Sequence, residues 1–350
     1  MATTAGTATA AVSQGMEIPI CTNPADQDDP AISGDRIVWE DERNGWLNND
    51  IYMYDLSTGT ETRITTNPAS QYAPAISGDR IVWEDGRNGN SDIYMFDLST
   101  DTEMQITTNE FYQWLATISG DRIVWTDDRY ESWEIYMYNL SAGMEMQITT
   151  NPSGQFGPTI SGDRIVWEDW RNANNDIYMY DLSTGTVIPI CTNKSIQGYP
   201  AISGDRIVWE DKRNGNNDIY MYDLSTGTET PICTNKSVQE NPAISGDRIV
   251  WEDWRNGNPD IYMYDLSTGT EIPICTNVYG QEYPDISGNR IVWEDMRNGN
   301  RDIYMYDLFV DLDQDGVLED DLDEETIPEI STLGTIAILG LAFLFLRKKE

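Results

Sequence analysis

Two neighbouring carboxylates, as in Trp209-Glu210-Asp211, could move protons or hold a cation. A catalytic carboxylate pair is singular and set apart by its surroundings. This one recurs along the chain, which points to a scaffold role: a salt bridge to Arg206 or Arg213, or a turn cap. No catalytic residue is assigned. The chain also lacks histidine altogether. That removes the commonest general base, the imidazole metal ligand and any Ser-His or Cys-His nucleophile pair.

A second acidic group is better spaced for chemistry. Asp311, Asp313 and Asp315, followed by Gly316, have the 1, 3, 5 oxygen spacing and position-6 glycine of a calcium loop. Position 12 is Leu322, where an EF-hand carries its bidentate Glu; Glu319, Asp320, Asp321 and Asp323 could supply that ligand instead. Ca2+ is therefore the one expected cofactor, with a solvated acidic spacer as the plainer alternative.

Aromatic residues supply the third kind of chemistry. Seven of the twelve tryptophans belong to a repeated Ile-Val-Trp and read as core; Trp46, Trp114, Trp133, Trp170 and Trp254 do not. Each repeat carries one Gln (27, 71, 113, 155, 197, 239 and 281), read as a structural hydrogen bond between neighbouring repeats. The residues after it vary and include Tyr72, Trp114, Phe156, Tyr199 and Tyr283. With Trp133, Trp170 and Trp254 they form the expected ligand-binding set, suited to stacking on sugar rings or on a partner protein. The third repeat departs most, at 110–115 and 127–134, and is the favoured binding sector.

These residues are positioned by a repeat. Ile-Ser-Gly-(Asp/Asn)-Arg-Ile-Val-Trp begins at Ile32, Ile76, Ile118, Ile160, Ile202, Ile244 and Ile286, at spacings of 44 and then 42 five times. That period suits a propeller blade of four short strands. In the fifth unit these are Pro-Ala-Ile-Ser, Arg206 to Asp211, Asp218 to Leu224 and Glu229 to Thr234. Ile207 and Trp209 share one face and Val208 the other, so both faces need covering. Residues 16–23, MEIPICTN, match a fourth strand, and the seventh unit has only three. The expected fold is all-β: a seven-bladed propeller of four-stranded blades closed three-plus-one by the N-terminal strand, leaving no open edge. Variable residues then share the face of the strand 2–3 turns and blade connections. Cys21, Cys191, Cys233 and Cys275 occupy the same point of the fourth strand, too far apart for disulfides, and are expected to be free thiols.

The unit resembles the TolB-like propeller repeat, and more closely the repeats of archaeal surface-layer and cell-surface proteins. The resemblance covers residues 16–308 and implies the fold more than an activity.

The flanks suggest an address. Residues 1–15 read as a disordered tail or signal-peptide remnant, with Ala8-Thr9-Ala10 resembling a processing site. Residues 309–329 form an acidic stalk, and 330–350 a membrane segment: 330–346 carry no charge and precede Arg347-Lys348-Lys349. The basic end should stay cytoplasmic, leaving the propeller outside. Pro328-Glu329-Ile330 before that run resembles a PEF-type sorting signal of archaeosortase substrates, with Ile330 where that pattern has Phe. Asn139, Asn193 and Asn235 begin glycosylation sequons.

With 60 acids against 22 bases, the net charge of −38 opposes nucleic-acid binding and suits an exposed outer surface. The expected function is a non-catalytic, membrane-anchored cell-surface propeller acting in adhesion, surface-layer structure, or binding of envelope proteins or glycans. The alternative is an extracellular polysaccharide lyase or glycosidase using Asp, Glu, Arg and Tyr of the variable face. A peptide of residues 309–326 should give a calcium-binding heat in titration calorimetry; no heat would remove the calcium loop.

Overall fold

The computed structural model describes residues 15–309 apart from 46, 130 and 131. Seven antiparallel four-stranded sheets follow one another along the chain. In blade 5 the strands are Gln197–Ser203, Arg206–Asp211, Asp218–Asp223 and Thr228–Cys233, in that order across the sheet. Blade 7 takes Gln281–Ser287, Arg290–Asp295 and Asp302–Asp307 from the end of the repeats and Met16–Cys21 from their beginning. Met16 pairs with Asp307 and Cys21 with Ile303, so the ring closes three-plus-one.

Period-two alternation divides each blade between two neighbours. Ile207, Trp209 and Tyr220 of blade 5 pack on Val166, Ile177 and Met179 of blade 4. Val208, Ile219 and Met221 face the other way, onto Ile249, Trp251 and Tyr262 of blade 6. The same packing joins Ile32, Trp39 and Tyr52 of blade 1 to Cys21, Val292, Ile303 and Met305 of blade 7 across the closure. All seven repeated tryptophans have no exposed surface.

Each of these tryptophans is tied to a buried ion pair. Trp209 Nε1 donates to Asp211 at 3.1 Å, and Arg213 donates to the same carboxylate from its backbone at 2.9 Å and its guanidinium at 2.5 Å. The guanidinium lies 4.0 Å over the Tyr220 ring, which stacks on Trp209, and also reaches Glu229 on the outer strand. Asp211 therefore belongs to Arg213. Arg206 instead bridges to Asp247 of the next blade at 2.6 Å. The cysteines sit beside these pairs as free buried thiols: Arg213 Nη2 lies 3.4 Å from Cys191 Sγ, and burial pushes that thiol up to about 12.

The inner strand is longer than the sequence suggests. It has seven residues rather than Pro-Ala-Ile-Ser alone, because the Gln197 amide donates to Asn175 O of the preceding blade at 2.9 Å and starts the strand there. A bulge between Gly198 and Ala201 absorbs the surplus, with Tyr199 at φ 49°. The variable aromatics after each Gln thus stand in or beside the inner strand. The Gln side chain turns back into its own loop, Nε2 donating to Ser195 O at 2.5 Å, and the Gln backbone is what ties blade to blade. Asp311, Asp313, Asp315, Glu319, Asp320, Asp323 and the segment 330–346 lie outside the described residues.

Removing residues 1–23 should lower the thermal midpoint by on the order of 10 °C, through loss of the closing strand and its packing. An unchanged melting curve would mean that the ring does not depend on this closure.

Candidate functional site

The bulges create a rim. At the bulged position all seven residues have positive φ: Asp29, Ala73, Leu115, Gly157, Tyr199, Asn241 and Tyr283. Only one is glycine, although this conformation costs other residues on the order of 1 kcal/mol. An acceptor from the preceding blade meets each bulged N–H. Glu294 accepts from Asp29 at 2.8 Å, Glu84 from Leu115 at 2.7 Å, Glu168 from Tyr199 at 2.9 Å, Glu210 from Asn241 at 2.8 Å and Glu252 from Tyr283 at 2.7 Å. Glu40 accepts from Ala73 at 3.4 Å. Blade 3 has Thr126 instead, accepting from Gly157 at 3.2 Å. The Glu of the repeated Glu-Asp pair is therefore a blade-to-blade link.

Burial raises all six carboxyls, against the opposing hydrogen bonds. Glu84, Glu168 and Glu252 are pushed up to about 7, Glu40 and Glu210 to about 8 and Glu294 to about 9. Neighbouring acids add to the effect at Glu210, where Glu240, Glu168 and Glu252 face it, and at Glu294, where Asp28 and Asp29 do. Arg301 stands among these acids at the closure, 3.2 Å from Asp28 and 3.4 Å from Glu294. Among the described residues, no group of three or more His, Cys, Asp or Glu is placed to hold a metal ion.

On the same face, five aromatic rings form a continuous row across blades 3 and 4. Tyr112 lies 6.2 Å from Trp114, Trp114 6.2 Å from Trp133, Trp133 5.5 Å from Phe156 and Phe156 6.1 Å from Trp170. Three of the contacts are edge-on, so successive rings turn their faces in different directions. Local sequence explains the row. Trp133 holds the position filled by Asn49, Ser91, Asn175, Asn217, Pro259 and Arg301 elsewhere, and its ring lies beside Gly154. Tyr112, Trp133 and Trp170 remain 41–50 % exposed.

Beside the row is a cleft of about 380 Å³ between blades 2 and 3, lined by Tyr72, Glu84, Gly86, Gly89, Asn90, Ser91, Tyr112 and Trp114. The structure thus joins Trp114, Trp133, Phe156 and Trp170 in one row and brings Tyr72 to it through the cleft. Tyr199, Trp254 and Tyr283 are exposed on blades 5, 6 and 7 and make no ring contact with the row. Sequence reasoning placed Tyr112 in the favoured segment 110–115 without naming it in the binding set, and read Glu84 only as part of the repeated pair. The signal for Glu84 was indirect: Gly86 and Ser91 are smaller than most of their counterparts, and that opens the cleft.

An all-β ring of seven four-stranded blades with its variable residues on one face defines a β-propeller. The chain belongs to the TolB β-propeller (PD40) family, whose sequence pattern matches residues 155–339, just over half of it. No curated protein matches the chain. Among solved structures it resembles the β-propeller domain of the Trilobed protease from Pyrococcus furiosus, described as having an open velcro topology. The TM-score is 0.66 and the identity 16 %, over 81 % of this chain and 93 % of that one. It also resembles the acylaminoacyl peptidase of Pyrococcus horikoshii, with a TM-score of 0.64 and 15 % identity over 80 % of this chain. Here it spans 51 % of the peptidase, about half its length. The third is oligogalacturonate lyase from Vibrio parahaemolyticus, with a TM-score of 0.63 and 11 % identity, over 87 % of this chain and all of that one.

These neighbours overturn the expectation that the chain is not an enzyme. They are peptidases and a lyase. At such low identity the likeness itself establishes the fold alone.

The six rim glutamates set a pH dependence. Their folded values lie above the ordinary value of 4.5, so the stability they contribute is complete below that pH and is lost as pH rises through about 7 to 9. The thermal midpoint should therefore fall between pH 6 and pH 9, and Glu294→Gln should flatten that fall. A midpoint rising over this range would contradict the burial effect.

Proposed function

We propose that this propeller recognises an extracellular glycan along the aromatic row of blades 3 and 4, as a substrate-handling member of an enzyme-related family. The unbroken row from Tyr112 to Trp170 carries the reading. Contiguous, half-exposed rings on a rigid rim are suited to the apolar faces of successive sugars, and such a patch on a solvated surface marks a binding site. The acidic rim disfavours polyanionic chains and admits neutral or cationic ones.

An outer-surface address is part of the proposal. It is supported by the uncharged run 330–346 ahead of three basic residues, by the acidic surface, and by sequons at Asn139, Asn193 and Asn235. Asp311, Asp313 and Asp315, with Glu319, Asp320 and Asp323, are proposed to bind calcium between propeller and membrane.

Titration calorimetry with neutral and amino-sugar oligomers tests the reading, with turnover followed by the appearance of new chain ends. Trp133→Ala should weaken binding about tenfold with the melting curve retained, since Trp133 lies on the surface. No binding across both classes of oligomer would remove the glycan reading.

A further inference from the structure

The rim glutamates are alike in sequence and differ in access. Glu40, Glu168, Glu210, Glu252 and Glu294 are buried, whereas Glu84 is partly exposed and forms part of the cleft wall. Two positions beside it carry smaller residues in blade 2 than in the other blades. The last residue of the strand 2–3 turn, just before the third strand, is Asn in blades 1, 4 and 5, and there it covers the glutamate: Asn175 donates to Glu168 at 2.6 Å and Asn217 to Glu210 at 2.8 Å. Blade 2 has the shorter Ser91 at that place, reaching Glu84 at only 3.4 Å. Gly86 then stands where blades 4 and 6 carry Trp170 and Trp254, so no side chain roofs the opening.

What surrounds the open carboxyl is aromatic. Tyr72, Tyr112 and Trp114 line the same cleft. Glu84 has no ion-pair partner among the described residues, unlike Glu294 with Arg301. The repeated arginine of the same turn, Arg87, is committed to Asp85, Glu103 and the Tyr94 ring. A carboxylate with no counter-ion, walled by three electron-rich rings, has the composition that attracts an organic ammonium group: the rings stabilise the cation through their faces and the acid supplies the charge-assisted hydrogen bond.

We infer that the cleft formed by Tyr72, Glu84, Tyr112 and Trp114 is a subsite for a protonated primary amine carried on a sugar. The inference rests on the glycan reading above and narrows it to amine-bearing chains. The aromatic row continues from the cleft through Trp114 to Trp133, so an amino sugar seated over Glu84 leaves the rest of its chain to run along blades 3 and 4. Glu84 fixes the register and the sign of charge; the row supplies length. An acetylated amine, which is uncharged and bulkier, gains nothing from the carboxylate.

The test compares a glucosamine hexamer with its N-acetylated counterpart by calorimetry on the full chain at fixed ionic strength. The free-amine oligomer should bind at least about tenfold more tightly, a difference of about 1.4 kcal/mol. Glu84→Gln, which keeps an acceptor for the Leu115 N–H, should abolish that preference while leaving affinity for the acetylated oligomer within about twofold. Ser91→Asn, the residue three other blades carry, should close the opening and also abolish the preference without loss of fold, read from an unchanged melting curve. Equal binding of the two oligomers by the unaltered chain, or a preference that survives Glu84→Gln, overturns the subsite and leaves the glycan reading standing. Binding of neither oligomer overturns both.

Discussion

The propeller depends on a carboxylate that never meets water. In every blade an Asp with no exposed surface accepts the indole N–H of the core tryptophan and the guanidinium of an arginine two residues on. The pair is buried, which costs desolvation, and the cost is offset only when the remaining donors and lone pairs are filled. Here they are. The arginine caps a tyrosine ring, reaches an outer-strand Glu in six blades, and in four junctions borders a cysteine of the neighbouring blade. One polar knot therefore joins second, third and outer strands of a blade and, at those four junctions, touches the blade before it. Blade 4, with Val187 in place of the outer Glu, keeps the rest of the knot. The knot fixes the tight turn after the second strand, and the variable side chains of the rim leave from that turn, from the bulge beside it or from the blade connection.

The rim shows a different economy. Six of the seven bulged residues tolerate a backbone conformation that glycine would take more easily, and each is held by an acceptor from the blade before it. The side chain at that position is thus free to vary while its backbone cannot. Asp29, Leu115, Tyr199 and Tyr283 can all occupy it, and that is how an almost perfectly repeated chain presents a face that is acidic on one side and aromatic on the other.

The fold was legible because its signals repeat. The Ile-Val-Trp strands, the Asn-Gly turns and the orphan strand MEIPICTN each pointed to the same ring, and the closure follows from counting strands. The site was half legible. Trp133 and Phe156 stood out as departures from the repeat, and the third repeat did prove to carry most of the aromatic row. Glu84 could not be seen that way, because it is the repeated residue; its neighbours changed around it. Tyr112 stands two residues before Trp114, within the 110–115 segment that departs from the repeat, and was not singled out there.

The closing strand also has a mechanical meaning. Met16, where the described chain enters blade 7, pairs with Asp307, where the last repeat leaves it. Both exits lie at the same end of one antiparallel pair. Tension between the two ends would therefore part that pair one hydrogen bond at a time, from Met16 inward, and would not shear all of its bonds together. The same tension leaves the other six blades slack until the seam has opened. A pull on the chain beyond Asp307 alone would pass into the body of the ring through Asp302–Asp307, a strand clasped on both sides by Arg290–Asp295 and Met16–Cys21.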